Sequence, residues 1–148
     1  MGALGDGLSP QMFVASLFRQ LDWAMAELEP GVWRGPFCIE SEEEFDLYAM
    51  AADDRLFLAV TPVIDGKQIA EPLRLYRALL ALNQQLPSVR FALDGEGDVT
   101  LLADLSIERL AVADLERVID LLVAATGRFV EPLRRTAAEP TYVSPLLV

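Results

Sequence analysis

The chain has 148 residues, 53% of them hydrophobic and 24% charged, a composition that suits one globular domain and is too apolar for disorder. Asp plus Glu number 23 against 12 Lys plus Arg, a net charge of −11, which repels phosphate backbones and anionic membrane surfaces and so argues against nucleic acid and membrane partners. There is no His and only one Cys, which removes Ser-His-Asp and Cys-His chemistry, His-ligated zinc, intrachain disulfides and Cys-rich metal sites.

Residues 1–8 read as a flexible N-terminus. Met1 to Gly7 has no basic segment of a secretory signal, and Asp6 stands where N-myristoylation needs Ser or Thr. The most apolar stretch, Val118 to Ala125, is broken by Asp120 and falls short of the roughly 18 apolar residues of a membrane span. The reading is a soluble cytoplasmic protein.

Ser9-Pro10 opens a first helix: Ser caps free N–H groups and Pro suits the first helical position. Val14, Leu17, Phe18, Leu21, Met25 and Leu28 keep helical spacing, and Pro30-Gly31 is a stop, so this helix is expected over about Pro10 to Glu29. Three strands are expected next, over Trp33 to Glu40, Phe45 to Ala51 and Arg55 to Val63. Short turns at Ser41–Glu44 and Asp53-Asp54 make them an antiparallel meander. Glu71-Pro72 opens a second helix with Leu73, Tyr76, Leu79, Leu80 and Leu86 close to one stripe, and Pro87 stops it. Two strands, Val89 to Leu93 and Val99 to Ser106, flank the hairpin loop Asp94-Gly95-Glu96-Gly97-Asp98. A long third helix runs from about Ala113 to Arg135, burying Leu115, Val118, Ile119, Leu122, Phe129 and Leu133. Arg128, Arg134 and Arg135 sit near its C-terminal end, where the helix dipole favours positive charge. The expected fold is α+β in the order α-β-β-β-α-β-β-α: a five-stranded, mainly antiparallel sheet with helices on one face. It forms a single domain over residues 9–136 with a tail over 137–148. Thr141 to Val148 is apolar, but Pro140 and Pro145 bar a long helix, so the tail is expected to dock in extended form on its own sheet or on a neighbour.

Candidate chemistry is sparse. Asp94, Glu96 and Asp98 alternate like the start of a calcium loop, but Val99 and Leu105 stand where that loop needs Gly and Glu, so a hairpin turn is the better reading. Glu42, Glu43 and Glu44 read as a solvated acidic turn, although a pair of carboxylates at the right separation would suffice for a glycosidase-like reaction. Gly2, Gly5 and Gly7 lack the strand and the Gly-Lys-Ser/Thr of a phosphate loop. Cys38, between Phe37 and Ile39, reads as packed and inert. No catalytic residue, cofactor site or metal site is therefore assigned.

The strands carry a stronger signal. Alternate residues point to opposite faces. One face collects Phe37, Ile39, Phe45, Leu47, Leu56, Leu58, Val60, Phe91, Leu93, Val99, Leu101 and Leu105, and is expected under the helices. The other should be polar if it meets water. Instead it carries Cys38, Tyr48, Met50, Phe57, Ala59, Ala92 and Leu102, with Asp46, Arg90 and Asp104 toward the ends. These seven residues are the candidate partner or dimer interface, unless the tail covers them. Charge is uneven too: residues 1–54 hold eleven acids and two bases, residues 55–148 twelve and ten.

The stretch Leu75-Tyr-Arg-Ala-Leu-Leu-Ala-Leu-Asn-Gln-Gln-Leu-Pro-Ser-Val-Arg-Phe-Ala-Leu-Asp-Gly-Glu-Gly-Asp-Val-Thr-Leu-Leu-Ala-Asp-Leu105 resembles the type III secretion chaperone-like superfamily of bacterial proteins, and within it the YbjN-type branch. The shared features are a helix leading to an Asn, a short strand with Phe, an Asp-Gly hairpin, and a strand before a long last helix. The element order fits over about residues 9 to 135. The resemblance implies a small acidic homodimer without enzymatic activity. The secretion chaperones of this fold bind an extended segment of an effector, and the YbjN-type branch is described as regulatory. The first reading is thus a homodimeric protein-binding module that holds an extended segment of another protein. The alternative is a small-molecule binder or carboxylate-only enzyme with a site between sheet and helices.

Overall fold

The computed structural model describes residues 9–147, so the reading of residues 1–8 lies outside it. In chain order the elements are α1 (Pro10–Gln20), β1 (Ala26–Glu29), β2 (Val32–Cys38), β3 (Glu44–Ala52), β4 (Arg55–Ile64), α2 (Pro72–Gln85), β5 (Arg90–Leu93), β6 (Val99–Ser106) and α3 (Val112–Ala138). The strands form one antiparallel sheet in the order β1-β2-β3-β4-β6-β5. The fold is α+β as expected, with six strands rather than five.

The extra strand comes out of the first helix. Ser9 caps α1 by accepting the Met12 N–H, and Val14, Leu17 and Phe18 are buried beneath it. The helix then ends at Gln20, because Leu21 turns to an extended backbone and two tight turns follow, Trp23 N–H to Leu21 O and Met25 N–H to Trp23 O. Residues 26–29 pair with β2 instead of continuing the helix. Pro30-Gly31 is therefore a hairpin turn and not a helix stop. Gly31 sits at φ 82°, where a side chain is strained, and a Cβ there would meet Gln11 Cγ at 2.9 Å. Leu21 and Met25 still pack on the core, but Leu28 is exposed.

All three helices lie on one face of the sheet. Trp33, Phe37, Phe45, Leu47, Ala49, Leu56, Leu58, Val60, Phe91, Val99, Leu101 and Ala103 meet them there. Of the residues expected on this face, Ile39 and Leu105 are only half-buried and Leu93 is exposed, since Leu93 ends the short edge strand and Ile39 lies just past its strand. Pro62 cannot donate to the ladder, and the β4–β6 register shifts between Val60 and Ile64 around it.

The second helix departs further from expectation. It buries Leu75, Ala78, Leu79 and Leu82, a stripe at three- and four-residue spacing. Leu73, Tyr76 and Leu80, expected on the buried side, are exposed, Leu73 and Leu80 at 71% and 70%. The Asn83 side chain accepts the Phe91 N–H at 2.7 Å and donates to the Phe91 carbonyl at 2.9 Å. It thereby satisfies the backbone of edge strand β5, one of the ways a sheet edge is protected from pairing.

The tail docks on the helices and not on the sheet. Helix α3 runs through Pro132 to Ala138. Arg74 of α2 donates to the carbonyls of Thr136, Glu139 and Tyr142, and the Arg135 guanidinium lies 4.1 Å over the Tyr142 ring. Ser144 is buried and shares a 2.8 Å hydrogen bond with Thr136. Pro145 and Leu146 close part of a groove floored by Leu82, Leu86, Phe129 and Pro132. With the tail placed there, no described element covers the second face of the sheet.

Candidate interaction surface

The exposed sheet face is built by strand register. Arg34 pairs with Tyr48, Tyr48 with Ala59, Ala59 with Leu102 and Leu102 with Arg90. These five residues form a row across five strands on one face, because directly opposite residues in a sheet share a side. The neighbouring row is Val32, Met50, Phe57 and Asp104. Ala59 is the smallest side chain in the centre, so the larger ones around it leave a depression of about 370 Å³ lined by Val32, Tyr48, Met50, Phe57, Ala59, Leu102 and Arg90. Met50 is 47% and Phe57 39% exposed. Phe57 and Met50 stand directly opposite each other, close enough for a favourable side-chain pair.

Five of the seven candidate residues, Tyr48, Met50, Phe57, Ala59 and Leu102, therefore share one depression. Ala92 shares the face but sits one row away, opposite Thr100. Cys38 is four residues along β2 from Arg34, about 13 Å at strand rise, and borders a separate cavity with Ile39, Val123, Ala124, Gly127 and Arg128. It is exposed rather than packed, because it is out of phase with Trp33 and Phe37 at the open end of its strand. Val32 was missed: the expected strand began one residue too late, at Trp33.

Charge on this face is concentrated at the rim. Asp104 accepts hydrogen bonds from Arg55 and Arg90, which hold its carboxyl below the usual carboxylate range. Arg34 is exposed and has no ion pair among the described residues.

Three of the remaining acidic candidates, Glu43, Asp94 and Asp98, are spent on structure. Glu43 takes both terminal nitrogens of Arg134, at 2.6 and 2.5 Å, which lowers its pKa and raises that of Arg134. The acidic turn is thus tied to α3. Asp94 accepts the N–H groups of Glu96 and Asp98, and Asp98 accepts the N–H of Gly66, so the would-be calcium loop is a hairpin held by its own carboxylates. Among the described residues no group of three or more His, Cys, Asp or Glu is placed to hold a metal ion, and no helix is long and apolar enough to cross a membrane.

A family model described as "Domain of unknown function (DUF8183)" matches residues 20–133. No curated protein sequence matches the chain. Among solved structures, the complex of ExsC with ExsE is similar at TM-score 0.57 and 17% identity, over 90% of this chain and 97% of the other. The Yersinia pestis type III secretion chaperone SycH, solved with a stable fragment of YscM2, is similar at TM-score 0.52 and 18% identity, over 80% and 97%. YbjN from E. coli is similar at TM-score 0.54 and 12% identity, over 76% and 87%. The chain has the fold that ExsC and the type III secretion chaperone SycH share with YbjN.

Proposed function

We propose that this chain, which belongs to the DUF8183 family, is a non-enzymatic, chaperone-like or regulatory protein-binding module that works as a homodimer and holds an extended segment of another protein. The observation that carries this reading is the uncovered apolar depression on the sheet. Aromatic and aliphatic side chains left half in water there gain about 1 kcal/mol each when a partner covers them, and central anchors of this kind dominate protein association. The complexes of ExsC with ExsE and of SycH with a YscM2 fragment support the reading, since proteins of this fold are found holding polypeptide.

Two apolar surfaces suit two contacts. The sheet face suits the partner. The α2 stripe suits a second copy: Leu73 and Leu80 are seven residues apart, so in an antiparallel pair of helices each meets the other across a two-fold axis near Tyr76. The test is native mass spectrometry of the protein purified from its source cells. A stoichiometric polypeptide, retained by the wild type and lost on Phe57→Asp, is the expected result. A retained small molecule with no polypeptide would overturn the reading in favour of a ligand site between sheet and helices.

A further inference from the structure

We infer that the depression on the sheet face takes an acidic segment of a partner protein, with one bulky apolar side chain at its centre and carboxylates on both sides; this rests on the protein-binding reading above and names the chemistry of the partner. The two ends of the central row are arginines, Arg34 on β2 and Arg90 on β5, and the residues between them, Tyr48, Ala59 and Leu102, carry no charge. Four strand spacings separate the two Cα atoms, about 19 Å. An extended chain covers that span in about six residues, so one segment reaches both arginines while its middle side chain drops over Ala59. Arg34 has no carboxylate partner among the described residues. Arg55 and Arg90 converge on the single carboxylate of Asp104, which leaves positive charge in excess beside Phe57.

The net charge of −11 does not reverse this preference. At physiological ionic strength charges beyond about 8 Å are largely screened, so the rim decides the sign of what docks. Asp46, opposite Pro36 one row from Tyr48, is a diagonal neighbour of Arg34 and offsets part of its charge, so the Arg90 end, beside Arg55, attracts the partner's carboxylates more strongly.

A second copy is a poor occupant of the same depression. Stacked sheets align within about 30°. A two-fold axis that brings two depressions together in that way lays one row over the other, with arginine ends near arginine ends and no acid in either row. Such like-charge contacts discriminate against wrong partners.

The test uses two fluorescently labelled synthetic peptides, Asp-Asp-Ala-Phe-Ala-Asp-Asp and Lys-Lys-Ala-Phe-Ala-Lys-Lys, titrated with the full chain by anisotropy. The acidic peptide should bind at least tenfold more tightly, and the preference should shrink as salt rises from 50 to 500 mM. Arg34→Glu, at an exposed residue without ion pairs, should weaken the acidic peptide at least fivefold. Ala59→Trp, which fills the depression, should abolish binding of both; if that variant fails to fold, Arg34→Glu decides alone. Equal or tighter binding of the lysine peptide, or no binding of either at 1 mM, overturns the inference. If neither binds but a co-purified polypeptide is still lost on Phe57→Asp, the acidic chemistry falls and the protein-binding reading stands. If neither binds and no face variant changes any association, both fall.

Discussion

Phe57 and Leu58 are adjacent in β4 and should respond oppositely to the same substitution. Leu58 is fully buried against the helices, whereas Phe57 is 39% exposed on the open face. Leu58→Asp removes a packed leucine, a loss of about 2–5 kcal/mol by itself, and puts a carboxylate between Ala49 and Ala103 in the apolar core without a counter-ion. The effective penalty for an unpaired buried ion is several kcal/mol more. The sum approaches the whole stability of a domain this size, about 5–15 kcal/mol, so Leu58→Asp should unfold the chain. Phe57→Asp leaves the new carboxylate in water. Its direct neighbours are Met50 and Asp104; like charges opposite one another cost about 0.2–1 kcal/mol, and the two arginines on Asp104 offset part of that. The folded monomer should survive, while association through the face loses the roughly 1 kcal/mol gained by covering the exposed part of the ring, about fivefold in affinity, and more where the partner strips water from the new carboxylate. Circular dichroism melts and partner retention on the two variants measure both effects. Unfolding by Phe57→Asp with a folded Leu58→Asp would put the register wrong by one residue and remove the proposed surface with it.

Light scattering over a dilution series should give twice the 16.3 kDa chain mass for the wild type and the single-chain mass for Leu80→Asp; a strict monomer at high micromolar concentration refutes the homodimer. Deleting residues 139–148 uncovers the groove closed by Leu146 and removes the bonds to Arg74 and Thr136, which should lower the melting temperature by about 2–8 °C and raise binding of a hydrophobic dye; an unchanged melt would mean that the tail is not docked. The lowered Glu43 pKa, caused first by the Arg134 hydrogen bond, means that the ionised pair stabilises the fold above the ordinary carboxylate pKa of about 4.3 and that this contribution is lost as pH falls through the lower folded value. Because both partners are about one-third exposed, Glu43→Gln should cost no more than about 1 kcal/mol at pH 7 and progressively less as the pH falls through the lowered folded value; an equal loss at neutral and strongly acid pH would refute the charge argument. Asn83→Ala leaves the Phe91 backbone groups without their side-chain partner, and should increase aggregation through edge strand β5, read as turbidity on mild heating.

What the sequence made legible follows from where one interaction dominates. Strands β3, β4 and β6 alternate cleanly because one face is packed under helices, and their burial can be read residue by residue: Leu47, Leu56, Leu58, Val60 and Leu101 inward, Tyr48, Met50, Phe57 and Leu102 outward. The stretch after Gln20 was not legible. Leu21, Met25 and Leu28 fit helical spacing equally well when the chain turns and enters an edge strand, and Pro-Gly marks a hairpin as readily as a helix end. Helix α2 misled for a related reason. Eight of its fourteen residues are leucine, tyrosine or alanine, so periodicity admits two stripes, and only contact with α3 and β5 selects Leu75, Ala78, Leu79 and Leu82. The destination of the tail depends on Arg74 meeting carbonyls more than sixty residues away, a pairing of backbone groups that leaves no pattern in sequence. The depression needed register as well as phase: Ala59 is unremarkable in its own strand and becomes the centre of the site only when Tyr48 and Leu102 are placed on either side of it.

Site-specific photo-crosslinking on the sheet face tests the central claim most directly. A photoreactive phenylalanine analogue is placed at position 57 or position 102 in the full chain expressed in its source cells, with position 116 on the solvent side of α3 as control. The account predicts one dominant adduct to another polypeptide at 57 and at 102 and none at 116. No adduct at either face position, or the same adducts at all three, would contradict it.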